Sequence, residues 1–223
     1  MKKLTILLSS IALLISVLVS SSSFAQMKME KQKISDSKAT VLKTNMRQLW
    51  EEHVTWTRNV ILCLVDGLPG TDQAVKRLLQ NQVDIGNAIK PYYGAEAGNK
   101  LTALLTPHIT LAAEVVNNAK AGNTLLLDDA NKRWHANADE ISEFLSKANP
   151  HWGIDDMKMM MNDHLALTTG EAIQRIKKDY DADVVAYDKV HLEILKMSDM
   201  LADGIVKQFP SKFKSGSSKF ASK

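Results

Sequence analysis

Four of the six histidines in this 223-residue chain stand on apolar stripes of helical spacing: His53, His108, His164 and His191. Neutral imidazole is a common metal ligand, and the facing helices of a bundle are where such sites are built. These four are therefore candidate ligands for a transition metal (Fe, Zn or Cu). Glu171, seven residues after His164, and Glu140 could add carboxylates. No E-x-x-H or H-E-x-x-H string occurs, so the di-iron carboxylate pattern is not met. The same histidines could equally form a buried polar layer, each donating to a backbone carbonyl or a carboxylate.

Methionine offers a second chemistry. Met157, Met160, Met161 and His164 are spaced i, i+3, i+4 and i+7, so one helix face would present thioethers beside an imidazole. Soft ligands of that kind suit Cu(I). Methionine also fills gaps in ordinary cores. A third set is a polar network of Arg77, Asp84, Arg175 and Asp183, in which Arg77 could pair with Asp84, or Arg175 locally with Glu171 at i, i+4. Such groups are either paired inside or solvated at helix edges, because an unpaired buried charge is costly. Nucleophile elbows, P-loops and dinucleotide fingerprints are absent. The lone cysteine, Cys63 in VILCLV, has no evident activating neighbour and reads as buried and inert.

These residues need helices to position them. Glycine, proline and aromatics are sparse, and strand-type alternation is missing, which disfavours an all-β fold. Helices are expected at 38–66, 71–90, 95–120, 124–148, 154–178 and 181–208, with Pro107 kinking or breaking the third. A repeat underlies them. His53, His108 and His164 are 55 and 56 residues apart, in EEHVTWT, TPHITLA and NDHLALT; Pro91, Pro150 and Pro210 are 59 and 60 apart. The expected architecture is an all-α bundle of about six helices, built from three related hairpins at 38–91, 95–150 and 154–210. Each of the three repeated histidines then lies roughly 21 Å from the same end of its hairpin, in one layer. His191 falls within about a turn of that level.

The ends have their own logic. Residues 1–25 show a basic start, an apolar run of about 16 residues and a small-x-small site at Ser23-Phe24-Ala25, the pattern of a secretory signal peptide cleaved near Ala25. Residues 26–37 read as a flexible leader, and 211–223 as a basic disordered tail. Removing the signal leaves 26 basic against 25 acidic residues, and four of those lysines sit in the tail. The body is therefore nearly neutral, which argues against nucleic acid as a partner. The tail could contact anionic envelope polymers, and no later segment is apolar enough to span a membrane.

The strings LWEEHVTWTRNVI, RLLQNQVDIGNAIKPYYG, ANPHWG and SDMLADGIVKQFP resemble a family of small exported bacterial all-helical proteins of unsettled function, over roughly 45–210. Some members carry glycosyltransferase or kinase labels. The resemblance implies an exported all-α protein, and this chain holds no phosphate-binding element that such labels would need. The expectation from sequence is an exported binding protein for a metal ion or small ligand through inward-facing histidines. The alternatives are a non-catalytic envelope interaction module, or a transferase or hydrolase with an unrecognised site.

Overall fold

The computed structural model describes residues 2–214, with side chains described over 26–30 and 38–214. The fold is an all-α bundle, and no strand occurs among the described residues. Its helices are α1 (Lys2–Asp66), α2 (Thr71–Ala121), α3 (Thr124–Ala148), α4 (Ile154–Lys177), α5 (Tyr180–Gln208) and the short α6 (Pro210–Phe213). Two compact units divide the chain. One comprises Leu42–Phe209, and the other Met1–Val41 with Pro210–Lys223.

The expected helix ends hold closely in α3, α4 and α5, because each is set by local stop chemistry. α1 stops where Gly67 takes φ 66°. Gly122, at φ 70°, closes α2 by returning its N–H to the Ala119 carbonyl. Lys178 takes the same left-handed turn after α4, and Asp179 caps α5 by accepting from the Ala182 N–H. Such turns satisfy carbonyls and N–H groups that a helix end leaves unpaired.

Pro91 does not end a helix. α2 runs through both Pro91 and Pro107, and its break lies at Gly94, with φ 86° and ψ 170°. That region is open essentially to glycine alone. The first arm (71–93) and second arm (95–121) fold back on one another there. A Cβ on Gly86 would stand 2.6 Å from the Gly98 carbonyl oxygen, so only glycine permits this approach. Thr102 on the second arm donates to the Gln82 carbonyl on the first. The three-hairpin grouping is not established by the packing, since α3 lies against both α2 and α4.

The terminal segments differ from expectation. The span 26–37 belongs to α1, so its backbone is helical where a flexible leader was expected. Its lysines, glutamate and methionines are good helix formers. Pro210 opens α6, so the start of the expected disordered tail is helical. Residues 215–223 lie outside the described residues, as do the side chains of the expected signal segment. No helix among the described residues is long and apolar enough to cross a membrane.

One end of the bundle is fixed by contacts around Tyr93 and Trp152. Asn149 donates to the Tyr93 hydroxyl, which donates to Gln208, and Gln208 in turn donates to the Ala148 carbonyl. Trp152 packs where Gly204 has no side chain; a Cβ there would stand 2.0 Å from the indole nitrogen.

Candidate functional site

The α1 helix brings His53 to the core, the second arm of α2 brings His108, and α4 brings His164. All three are buried, at 3–4% exposure. Their rings form a contiguous layer, with centroids 5.6 Å apart for His53–His164 and 6.4 Å for His108–His164. Each ring is held through Nδ1 by a side chain 29 residues further on. His53 meets Gln82 at 3.2 Å, His108 meets Asn137 at 3.0 Å and His164 meets Glu193 at 3.0 Å.

Two of those partners fix where the ring proton sits. Asn137 Nδ2 donates to the Leu104 carbonyl, so its Oδ1 accepts and His108 carries its proton on Nδ1. The Glu193 carboxylate only accepts, so His164 also donates from Nδ1. Gln82 Nε2 is pinned as a donor by the Leu78 carbonyl and by Asn81 Oδ1. Both hydrogens of that amide are thereby engaged, and Asn81 also hydrogen-bonds His53. Among the described residues, no hydrogen bond engages the Nε2 of His108 or His164.

Burial sets their charge. It drives the His108 imidazolium down to about 3, assisted by neighbouring His164, and outweighs the Asn137 hydrogen bond. His53 is likewise held well below the ordinary histidine range by burial and by the other two rings. His108 is therefore neutral at pH 7 with a lone pair on Nε2, and His53 is neutral as well.

The layer separates two apolar cavities, both of which it lines. The larger, about 100 Å³, is walled by α1, α2, α3 and α4 through Val60, Leu78, Ile109, Val116, Trp134 and Ala172 among others. No Asp, Glu, Lys or Arg lines it. Two of its wall residues carry buried polar atoms without a hydrogen-bond partner, Thr168 Oγ1 and Trp134 Nε1. Its rim includes half-buried Ala112, Ala113 and Thr169 and the more exposed Ile173. The smaller cavity, about 30 Å³, lies on the other side and includes Met46, Met161, Met197, Trp50 and Trp152.

His191 does not join the layer. It is one-third exposed and faces Glu51 at 3.3 Å, because the buried stripe of α5 runs through Val190, Ile194 and Met197. The α5 residue at the layer is Glu193, which the 29-residue interval could have singled out. Glu140 is exposed on α3. Of the candidate copper ligands, Met161 and His164 share the wall of the smaller cavity, Met157 is buried core and Met160 is half-buried. Among the described residues, no group of three or more His, Cys, Asp or Glu side chains stands as a metal-binding set.

Glu171 is buried but engaged elsewhere. Arg58 reaches it at 2.7 Å and Asp183 at 2.9 Å, while Arg175 bridges Asp183 at 3.3 Å and pairs with Asp66. Burial lifts the Glu171 carboxyl to about 7 against the pull of Arg58. The expected Arg175–Glu171 pair is thus replaced by Arg58–Glu171, and Arg58 was not singled out by sequence. Arg77 does lie 3.9 Å from Asp84, but its shorter contact, 2.7 Å, is to Glu52. Cys63 is half-buried.

No family model, curated protein or solved structure matches the chain.

Proposed function

We propose that this protein is an exported, non-catalytic binding protein whose ligand is a small, uncharged, largely apolar molecule. The observation that carries this reading is the 100 Å³ cavity, with an apolar wall and the imidazole layer as its floor. An apolar cavity of about 150 Å³ binds benzene or xenon, so one of about 100 Å³ suits the smaller end of that range. The absence of a charged group from the lining favours an uncharged ligand, since burying an uncompensated charge costs several kcal/mol. The signal pattern at residues 1–25 supports export. Xenon under pressure should raise the thermal unfolding midpoint, as any ligand that binds only the folded state does. Ala113→Trp, which fills the rim, should abolish the rise. An unchanged midpoint in the unmodified protein overturns the reading.

One observation favours a metal instead. His108 and His164 each donate from Nδ1 to a side-chain oxygen, the arrangement that orients imidazoles around metals. Metal analysis of untagged protein tests it. Stoichiometric Fe, Zn or Cu, lost on replacing His108 and His164, supports a metal; fully folded metal-free protein sinks it.

A further inference from the structure

The outer side of the α4–α5 pair carries an open groove of about 600 Å³, lined by Gly170 of α4 and by Ala182, Val185 and Ala186 of α5 among others. Gly170 shows that the chain does not fill this space itself. Glycine weakens a helix interior relative to alanine, so it calls for a reason. Gly86, Gly98 and Gly204 each have one, because a Cβ on any of them would collide with atoms from elsewhere in the fold. A Cβ on Gly170 would meet nothing within 4 Å. On the α5 side stand two large exposed apolar side chains, Val185 (54%) and Leu192 (59%), seven residues apart on one helix face.

The charges along this face say what covers it. Asp181 and Lys189 both line the groove and are both exposed, and among the described residues neither side chain has a partner. They stand four residues before and four after Val185, each about 6 Å from it along the helix axis, too far apart to pair with one another. Reversing the helix about Val185 exchanges the acid for the base. We infer that this face binds a second copy of the same chain, as a two-fold dimer centred on Val185. An antiparallel α5 from the second copy sets Lys189 of each copy against Asp181 of the other. The same operation lays Leu192 of one copy on the aliphatic stem of Lys178 of the other. A two-fold contact requires a surface complementary to itself, and such closed pairs are the commonest assembly of soluble proteins. An unrelated helix would need neither the equal spacing nor the opposite signs. The inference stands apart from the cavity reading, since none of these residues lines either cavity beside the imidazole layer.

Sedimentation velocity on the full mature chain tests it. The unmodified protein should dimerise as its concentration rises, and the dimer should weaken as salt screens the paired charges. Val185→Asp, at an exposed position where circular dichroism should show the monomer still folded, sets two carboxylates face to face at the axis and should weaken the dimer about tenfold or more. Lys189→Glu should weaken it about fivefold, and adding Asp181→Lys should restore most of that loss. Disulfide trapping in a Cys63→Ser background reads the register. Val185→Cys should link to its own copy, whereas Leu192→Cys should not. Two residues each seven positions from the axis stand about 21 Å apart, and a disulfide needs Cα atoms within about 7 Å. A chain that stays monomeric at every concentration overturns the inference. So does a dimer that survives Val185→Asp, or one that links equally through both cysteines.

Discussion

Two buried polar regions of this bundle, two helical turns apart, are built on opposite terms. In the imidazole layer the same interval of 29 residues joins a histidine to its partner three times, and the partners are Gln82, Asn137 and Glu193. In the ionic cluster, Arg58, Glu171, Asp183, Arg175 and Asp66 meet once only. Seven residues after His164 stands Glu171, whereas the same step after His53 and His108 reaches Val60 and Val115. Five residues after His53 stands Arg58, whereas the same step after His108 reaches Ala113, on the cavity rim. The layer belongs to the repeat and carries the open ring nitrogens. The cluster is particular to one side of the bundle and sets two guanidinium groups among three carboxyl groups.

The difference predicts unequal responses to mutation. The largest effect falls on the cluster. Arg58→Met leaves Glu171 and Asp183, both almost fully buried, without their shared guanidinium, and should cost about 3–5 kcal/mol in a denaturant titration. A loss below about 1 kcal/mol would mean that the cluster is not the tightly paired element described here.

The layer should yield less. His108→Leu strands Asn137 Oδ1 and should cost roughly 1–3 kcal/mol. Adding Asn137→Leu removes the stranded group, although it also frees the Leu104 carbonyl. The double-mutant cycle should show a coupling of about 1 kcal/mol or more between the two positions. Strict additivity would break the claim that the pair acts as a unit.

Acidity acts on the two regions with opposite signs. His53 and His108 are held below the unfolded value near 6.5, so the unfolded chain takes up protons there that the folded one refuses. Their contribution to stability is complete above about pH 6.5 and is lost as pH falls. Glu171, raised from 4.5 to about 7, does the reverse, taking a proton in the folded state first. Between about pH 6.5 and 4.5 His108 and Glu171 therefore act in opposite senses, each by up to roughly 1.4 kcal/mol per pH unit. Glu171→Gln removes the opposing group, and the slope in urea titrations should steepen by about 1.4 kcal/mol per pH unit. An unchanged slope would contradict the charge state assigned to Glu171.

The smallest effect belongs to exposed pairs. Arg133→Ala breaks its contacts with Glu114 and Asp129, all well exposed, and should leave the urea unfolding midpoint essentially unchanged.

Much of this was legible in the sequence because it depends on local chemistry. Helix ends at Asp66, Ala121, Ala148 and Lys177 follow from the glycine, asparagine or lysine beside them. The layer was legible because three histidines recur at nearly constant spacing. Pro91 misled because a proline loses one hydrogen bond, which a long helix tolerates, whereas the φ of Gly94 ends the helix outright. His191 misled for a different reason. Its apolar stripe, Val184, Tyr187 and Leu195, is one helical step away from the stripe that is buried, and Val184 is 54% exposed. Arg58 was illegible because its partners lie 113 and 125 residues away and no repeat announces them. The cavity was illegible because its volume is set jointly by side chains of four helices.

The most direct test of the whole account is nitrogen-15 NMR of histidine-labelled protein across pH 4.5–7.5. The account predicts that His108 stays neutral at pH 5 with its proton on Nδ1. A His108 that titrates near pH 6.5, or that carries its proton on Nε2, would contradict it.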